Sequence, residues 1–187
     1  MRIREAEPRD RAAVRRMWRE LALHQAAVEP RFELAADYMK RWDADFDPWL
    51  RSPVHGLYVA CGKDESAFGF VHVRAHESAP IFAGPPEAFV EAVWTDREHR
   101  RRGVASALLG AAFAWARAFG AERIRFAVSV ADADAVAFWE RMGGVPLLAY
   151  GTIEAPFGAE ESRANATSIP GETHTRSSSG IGFRVVD

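Results

Sequence analysis

A single cysteine, Cys61, stands in a chain of 187 residues. No disulfide can form within the chain, and a cysteine-based zinc cluster is excluded. Lysine is almost as scarce. Lys40 and Lys63 are the only two, so arginine carries nearly all of the positive charge. No apolar run approaches the roughly 20 residues that a membrane span needs, and the residues after Met1 hold no apolar stretch of the kind that opens a secretory leader. The expected location is the cytoplasm, where thiols stay reduced. A surplus of charge is missing as well: the formal net charge of −2 creates no global attraction for nucleic acid. The sequence contains no Gly-Lys-Ser/Thr phosphate loop and no Gly-x-Gly-x-x-Gly dinucleotide turn. It contains no His-Glu-x-x-His pair or comparable ligand cluster, so no metal site is expected.

What is present suits an ordinary folded domain. Hydrophobic residues make up 48% and charged residues 27%, a mixture that can bury a core. Residues 1–6 read as a short strand. Residues 9–27 place Ala13, Val14, Met17, Leu21 and His24 at helical spacing, and Pro30 closes that run. Residues 32–50 form a second helical or mixed segment, with aromatics at Phe32, Tyr38, Trp42, Phe46 and Trp49. These read either as a core-facing stripe or as an aromatic wall over a pocket. Residues 57–61 and 67–74 are strands around the turn Gly62-Lys63-Asp64-Glu65. A loop rich in Pro and Gly follows, then a strand over 88–95. An alanine- and leucine-rich helix over 103–119 stops at Gly120. Further elements are a strand over 123–130, a helix over 132–142 and a strand over 145–153. From residue 154 Gly, Ser, Thr, Glu and Pro dominate, which reads as a flexible tail over 154–187 with a last edge strand at 181–186 as an alternative. The order implies one domain over 1–153, an α/β fold with a mixed sheet and helices on both faces.

The stretch with chemical content joins the strand over 88–95 to the helix over 103–119. Between them lies Arg100-Arg101-Arg102-Gly103-Val104-Ala105. A helix start exposes unpaired N–H groups and the positive end of the peptide dipoles, and such a place binds phosphate. Gly103 and the small Ala105 let the backbone approach a ligand, and the arginines supply donors that suit phosphate. The competing reading is a solvated basic patch or a nucleic-acid contact.

This hexapeptide resembles the signature of the GNAT acetyltransferases: Arg or Gln, two residues, Gly, one residue, then Gly or Ala. The strand before it and the helix after it are what that family requires. The segment Asp132-Ala133-Asp134-Ala135-Val136-Ala137-Phe138-Trp139 resembles the family's second motif, in which an Asn often stands at the place of Asp132 and Phe-Tyr at Phe138-Trp139. The resemblance covers residues 2–153. It implies a mixed, mostly antiparallel sheet with a central splayed parallel pair formed by the strands over 88–95 and 123–130. It implies acetyl-CoA as cofactor, with the pantetheine arm along Val93, Trp94 and Thr95 and the pyrophosphate on Arg100, Arg101, Arg102, Gly103, Val104 and Ala105. Asp132, Phe138 and Trp139 complete the cofactor set.

By the same resemblance, the amine attacks the thioester directly, and a backbone N–H near 91–93 holds the developing oxyanion. A base must first deprotonate the ammonium. Glu91 is the candidate, because it is an acid inside the apolar strand Phe89-Val90-Glu91-Ala92-Val93-Trp94. The other reading makes it a structural carboxylate paired with an arginine. The family's acid is often a Tyr at the position that Trp139 fills, and an indole cannot serve, which leaves Tyr150 as the substitute. The missing Tyr also supports a different class of function, a CoA-binding sensor or scaffold with little turnover.

Several residues keep two readings. His24, His72 and His76 either line a pocket or are structural. Cys61 reads as a small core residue. Glu33, Asp37, Asp43, Asp45 and Asp47 either favour a cationic acceptor or form a solvated acidic face. The expected partner is a primary amine on a small molecule or peptide, with no nucleic acid and no membrane. By analogy with the family, an exposed last strand would invite a homodimer.

Overall fold

The computed structural model describes residues 1–77 and 83–148. Five strands form one sheet in the order β1-β2-β3-β4-β5: β1 (Arg2–Glu5), β2 (His55–Cys61), β3 (Ala67–His76), β4 (Glu87–Thr95) and β5 (Arg123–Phe126). The first four run antiparallel to their neighbours, and β5 lies parallel to β4. The parallel pair needs a crossover, which helix α3 (Val104–Phe119) provides. Helices α1 (Arg11–Val28) and α2 (Tyr38–Arg51) follow β1, and α4 (Ala133–Arg141) follows β5.

The sheet is covered on both faces, and each face has its own core. On one side Val71, Val73, Ala88 and Val90 pack under Val104, Leu108, Leu109 and Ala112 of α3, with Trp139 of α4 at the margin. On the other, Leu57, Val59, Phe70 and Ala92 meet Val14 and Met17 of α1 and Trp42, Phe46 and Trp49 of α2. The aromatics Trp42, Phe46 and Trp49 therefore form a core stripe. Strand β3 is buried on both faces, which is why it reads as an almost unbroken apolar run. Gly69 on β3 lets α3 approach closely: a Cβ there would stand 3.1 Å from the Trp94 carbonyl oxygen and 3.2 Å from Leu108 and Val104. Cys61 is fully buried at the end of β2.

Two expectations need correction. Strand β5 stops at Phe126 rather than running to residue 130. Residues 145–148 form no strand, and Val145, Leu147 and Leu148 are exposed there. Their apolar, β-prone character signals a strand locally, but a strand needs a hydrogen-bonding partner, which local sequence does not specify. The rest of that expected strand, and the tail over 154–187, lie outside the described residues. No helix among the described residues is long and apolar enough to cross a membrane.

Candidate active site

The register of β4 builds the site. Its pairing with β5 runs Glu87↔Arg123, Ala88↔Ile124, Phe89↔Arg125 and Val90↔Phe126, then ends. β4 continues to Thr95, held only by β3 on its other side, where the last pair is Gly69↔Thr95. The parallel strands therefore part after Val90, and a backbone edge from Glu91 to Thr95 faces the gap. The parting point carries a second irregularity. β3 pairs His72 with Ala92 and Val73 with Val90, so Glu91 is an extra residue in β4. Such a bulge puts consecutive residues on one face and bends the strand.

Beside the gap lies the start of α3. Gly103 is its N-cap with φ 77°, and no side chain caps it. Arg101 also has a positive φ, 61°. The first helical bond runs from the Ala107 N–H to the Gly103 carbonyl at 3.0 Å, so the amides of Val104, Ala105 and Ser106 have no acceptor among the described residues. Arg101, Arg102 and Gly103 are exposed, Val104 is buried and Ala105 is half-buried. Neither Arg101 nor Arg102 has an ion-pair partner among the described residues. Arg100 is engaged within the protein. Its Nε donates to the Thr95 carbonyl at 3.0 Å, and its guanidinium lies 4.5 Å from the Trp94 ring.

The residues expected along the arm are brought together. Val93 packs toward the α3 core and Trp94 toward the α1 side. Trp94 Nε1 and Thr95 Oγ1 are both buried, with no hydrogen-bond partner among the described residues. The unpaired strand edge and the free helix amides beside it fit a bound cofactor with polar groups along its length.

Across the mouth of the gap, Asp132 caps α4 by accepting from the Ala135 N–H at 3.0 Å and hydrogen-bonds His24 Nε2 at 2.7 Å. Burial pushes the Asp132 carboxyl up, but the Ala135 amide, His24 and the charge of Arg100 outweigh it and hold it below the usual carboxylate range. The His24 ring lies 5.9 Å from Trp94. His24 of α1 thus links β4 to α4, a role its helical position alone did not show. Trp139 is buried and stacks on Phe126 at 4.0 Å, with Phe138 edge-on beside it. It anchors α4 on the last residue of β5. Tyr150 lies outside the described residues.

Glu91 is paired with Arg74 through the guanidinium Nε. Its side chain is 5% exposed and that of Arg74 is 22%. Sequence reasoning missed Arg74, which a register with β3 would have found. On the same face, His72 is 2% exposed and lies 4.4 Å from the Trp49 ring, tilted by 40°. Its Nε2 lies 2.9 Å from His55 Nδ1. Burial, with the neighbouring His55 and Arg74, pushes His72 down to about 3. Burial, then Arg74, also lowers His55 against the opposing pull of Asp45. His76 is lowered by burial, then Arg74 and Arg125, against Glu87. These histidines are neutral near pH 7.

Residues 16–144 match the model of the "Acetyltransferase (GNAT) family". No curated protein matches the chain. Among solved structures, the aminoglycoside 6'-N-acetyltransferase AAC(6')-IG of Acinetobacter haemolyticus superposes with a TM-score of 0.66 at 16% identity, covering 84% of this chain and 100% of that one. The aminoglycoside N-acetyltransferase AAC(6')-Iy in complex with CoA gives 0.64 at 17% identity, covering 83% and 100%. A transcriptional regulator of Bacillus halodurans gives 0.63 at 22% identity, covering 83% and 99%. At these identities the likeness is one of fold.

Proposed function

The chain belongs to the GNAT acetyltransferase family, and from that premise we propose that it transfers an acetyl group from acetyl-CoA to a primary amine of a small molecule or peptide by direct attack. The observation that carries this reading is the parting of β4 from β5 after Val90 beside the uncapped start of α3. The amides of Val104 and Ala105, with Arg101 and Arg102, hold the pyrophosphate, where helix charge and guanidinium donors act together. The open edge of β4 receives the arm. The CoA-bound AAC(6')-Iy structure supports the choice of cofactor by analogy of fold.

Acetyl-CoA supplies the acyl carbon, whose bond to sulfur breaks as its bond to the amine nitrogen forms. Glu91 takes the proton from the acceptor's ammonium, and the free amine then attacks. One of its oxygens is held by Arg74, and the other is the proton acceptor. Backbone amides at the Glu91 bulge orient the thioester carbonyl, and much of the rate comes from placing two substrates side by side. Tyr150 remains the proposed proton source for the leaving sulfur.

Calorimetry with CoA and a thiol-release assay over a panel of amines test this reading. Binding accompanied by amine-dependent thiol release is expected. Tight CoA binding with no release for any amine would instead make the chain a CoA sensor, and absence of CoA binding would overturn both.

A further inference from the structure

The candidate acceptor side has an internal order that bears on the substrate. Arg74 on β3, Phe89 on β4 and Arg125 on β5 are register partners across three strands. Partners in register share a face of the sheet. Along β4, Glu87 and Glu91 flank Phe89 at two-residue spacing and so lie on that face too. The result is a cross: a phenyl ring at the centre, guanidiniums on the neighbouring strands and carboxylates above and below. Arg74 pairs with Glu91, Arg125 pairs with Glu87, and the Arg74 guanidinium lies 5.4 Å from the Phe89 ring. His55, His72 and His76, all neutral, border it. Within the cross the two guanidiniums balance the two carboxylates, and Asp45 acts on His55 at its border.

The acidic residues that sequence suggested for holding a cation are largely committed elsewhere. Asp37 pairs with Arg41 at 3.0 Å, Asp43 with Arg15 at 2.7 Å and Asp47 with Arg11 at 2.6 Å. A polycationic acceptor would find each carboxylate of the cross already paired with a guanidinium, and like charges at short range are unfavourable. A zwitterion meets complementary charge instead. The amine and carboxylate of an α-amino acid are joined through one carbon, a spacing comparable to that of a guanidinium and carboxylate in contact. Arg74 donates from Nε to Glu91 and from Nη1 to the Ala75 carbonyl, and its Nη2 donors have no acceptor among the described residues.

We propose that the acceptor is an amine bearing its own carboxylate, an α-amino acid or a close analogue, whose amine sits on Glu91 and whose carboxylate sits on the Nη2 side of Arg74. This rests on the acetyl-transfer reading above and narrows its substrate class. Arg74 is then a specificity residue as well as the partner that positions Glu91, and the half-buried Phe89 ring borders the rest of the molecule.

The test uses the full chain and matched amine pairs: free amino acids against their carboxamides, O-phosphoethanolamine, spermidine and an aminoglycoside. Thiol release is followed at saturating acetyl-CoA. At least one amino acid is expected to turn over, with kcat/KM about tenfold to a hundredfold above its carboxamide, the loss typical of a charged hydrogen bond. Arg74→Ala should erase that discrimination, Arg74→Lys should keep part of it, and CoA affinity by calorimetry should stay unchanged in both. Equal use of acid and amide would overturn the proposal, as would preference for spermidine, the aminoglycoside or the phosphate ester. CoA binding without turnover of any amino acid would overturn it too, whereas failure to bind CoA at all would strike the acetyl-transfer reading instead. The wild-type comparison of acid and amide stands whether or not the Arg74 variants fold.

Discussion

At the scale of single residues, Glu91 and His72 carry the clearest consequences. Both are polar groups on strands that are otherwise apolar, and burial of such groups is costly unless something compensates. For Glu91 the compensation is Arg74. If Glu91 removes the proton from the attacking amine, Glu91→Gln should lower kcat by about 10²–10⁴-fold while leaving CoA affinity as it was. Parallel turnover and calorimetric measurements check this, and unchanged turnover would make Glu91 a structural carboxylate. For His72 the compensation is neutrality. Its folded value, about 3, lies far below the 6.5 of an unhindered imidazole. Below pH 6.5 the unfolded chain takes up a proton that the folded chain refuses, so stability must fall as pH drops from there toward 3. His55 and His76 shift in the same direction and act in the same sense. Asp10 and Asp132 are held below 3.8 and lose their contribution only in more acidic solution. The urea midpoint should therefore decline between pH 7 and pH 5, and His72→Leu should flatten that decline. A midpoint independent of pH across this window would contradict the neutral, buried imidazole.

At the scale of elements, the two helix starts beside the gap differ in kind. The start of α3 is left open around Gly103, whereas α4 is closed by Asp132. Nothing lies within 4 Å of where a Cβ on Gly103 would stand, so the cost of Gly103→Ala is conformational, about 1 kcal/mol for a left-handed residue. That should lower Tm by roughly 2–4 °C for a chain of this size. In α4, Asp132→Asn should retain most of the cap while Asp132→Ala loses about 1 kcal/mol, a difference that urea denaturation can resolve. The contrast also marks what was legible in the sequence. The open turn could be read because Gly103, its flanking arginines and the alanine-rich helix are neighbours in the chain. The helices and the first four strands could be read from periodicity, with ends displaced by a few residues. The parting of β4 and β5 was expected only through the family resemblance, because no local pattern encodes where the register between Val90 and Phe126 stops. The Glu91 bulge, the Arg74 pair and the bond from His24 to Asp132 all join segments distant in sequence, and no local pattern encodes such distances. Residues 145–148 failed for the same reason in reverse, a strand-like sequence with no strand.

At the scale of the whole molecule, the sheet separates two cores, one under α3 and one under α1 and α2, and the gap between β4 and β5 is where the layers come closest to being unjoined. A chain of contacts from Trp94 through His24 to Asp132 crosses its mouth. A cofactor seated there would touch β4 and the start of α3 together, and would do so only in the folded state. A ligand of that kind stabilises by mass action, by about 2.7 kcal/mol when present at 100 times its Kd. For a protein of this size the expected rise in Tm is roughly 5–11 °C. The same ligand should slow hydrogen exchange selectively at those amides between Ala92 and Thr95 that point away from β3, and from Val104 to Ser106, since those groups lack backbone partners on the gap side. Replacing Arg101 and Arg102 by alanine should shrink the thermal shift and its salt dependence together, because both cations are exposed and neither forms an ion pair among the described residues. A thermal shift that CoA cannot produce, or exchange protection spread evenly over the sheet instead of gathered along the free edge of β4, would mean that the gap is a packing defect and the cofactor binds elsewhere.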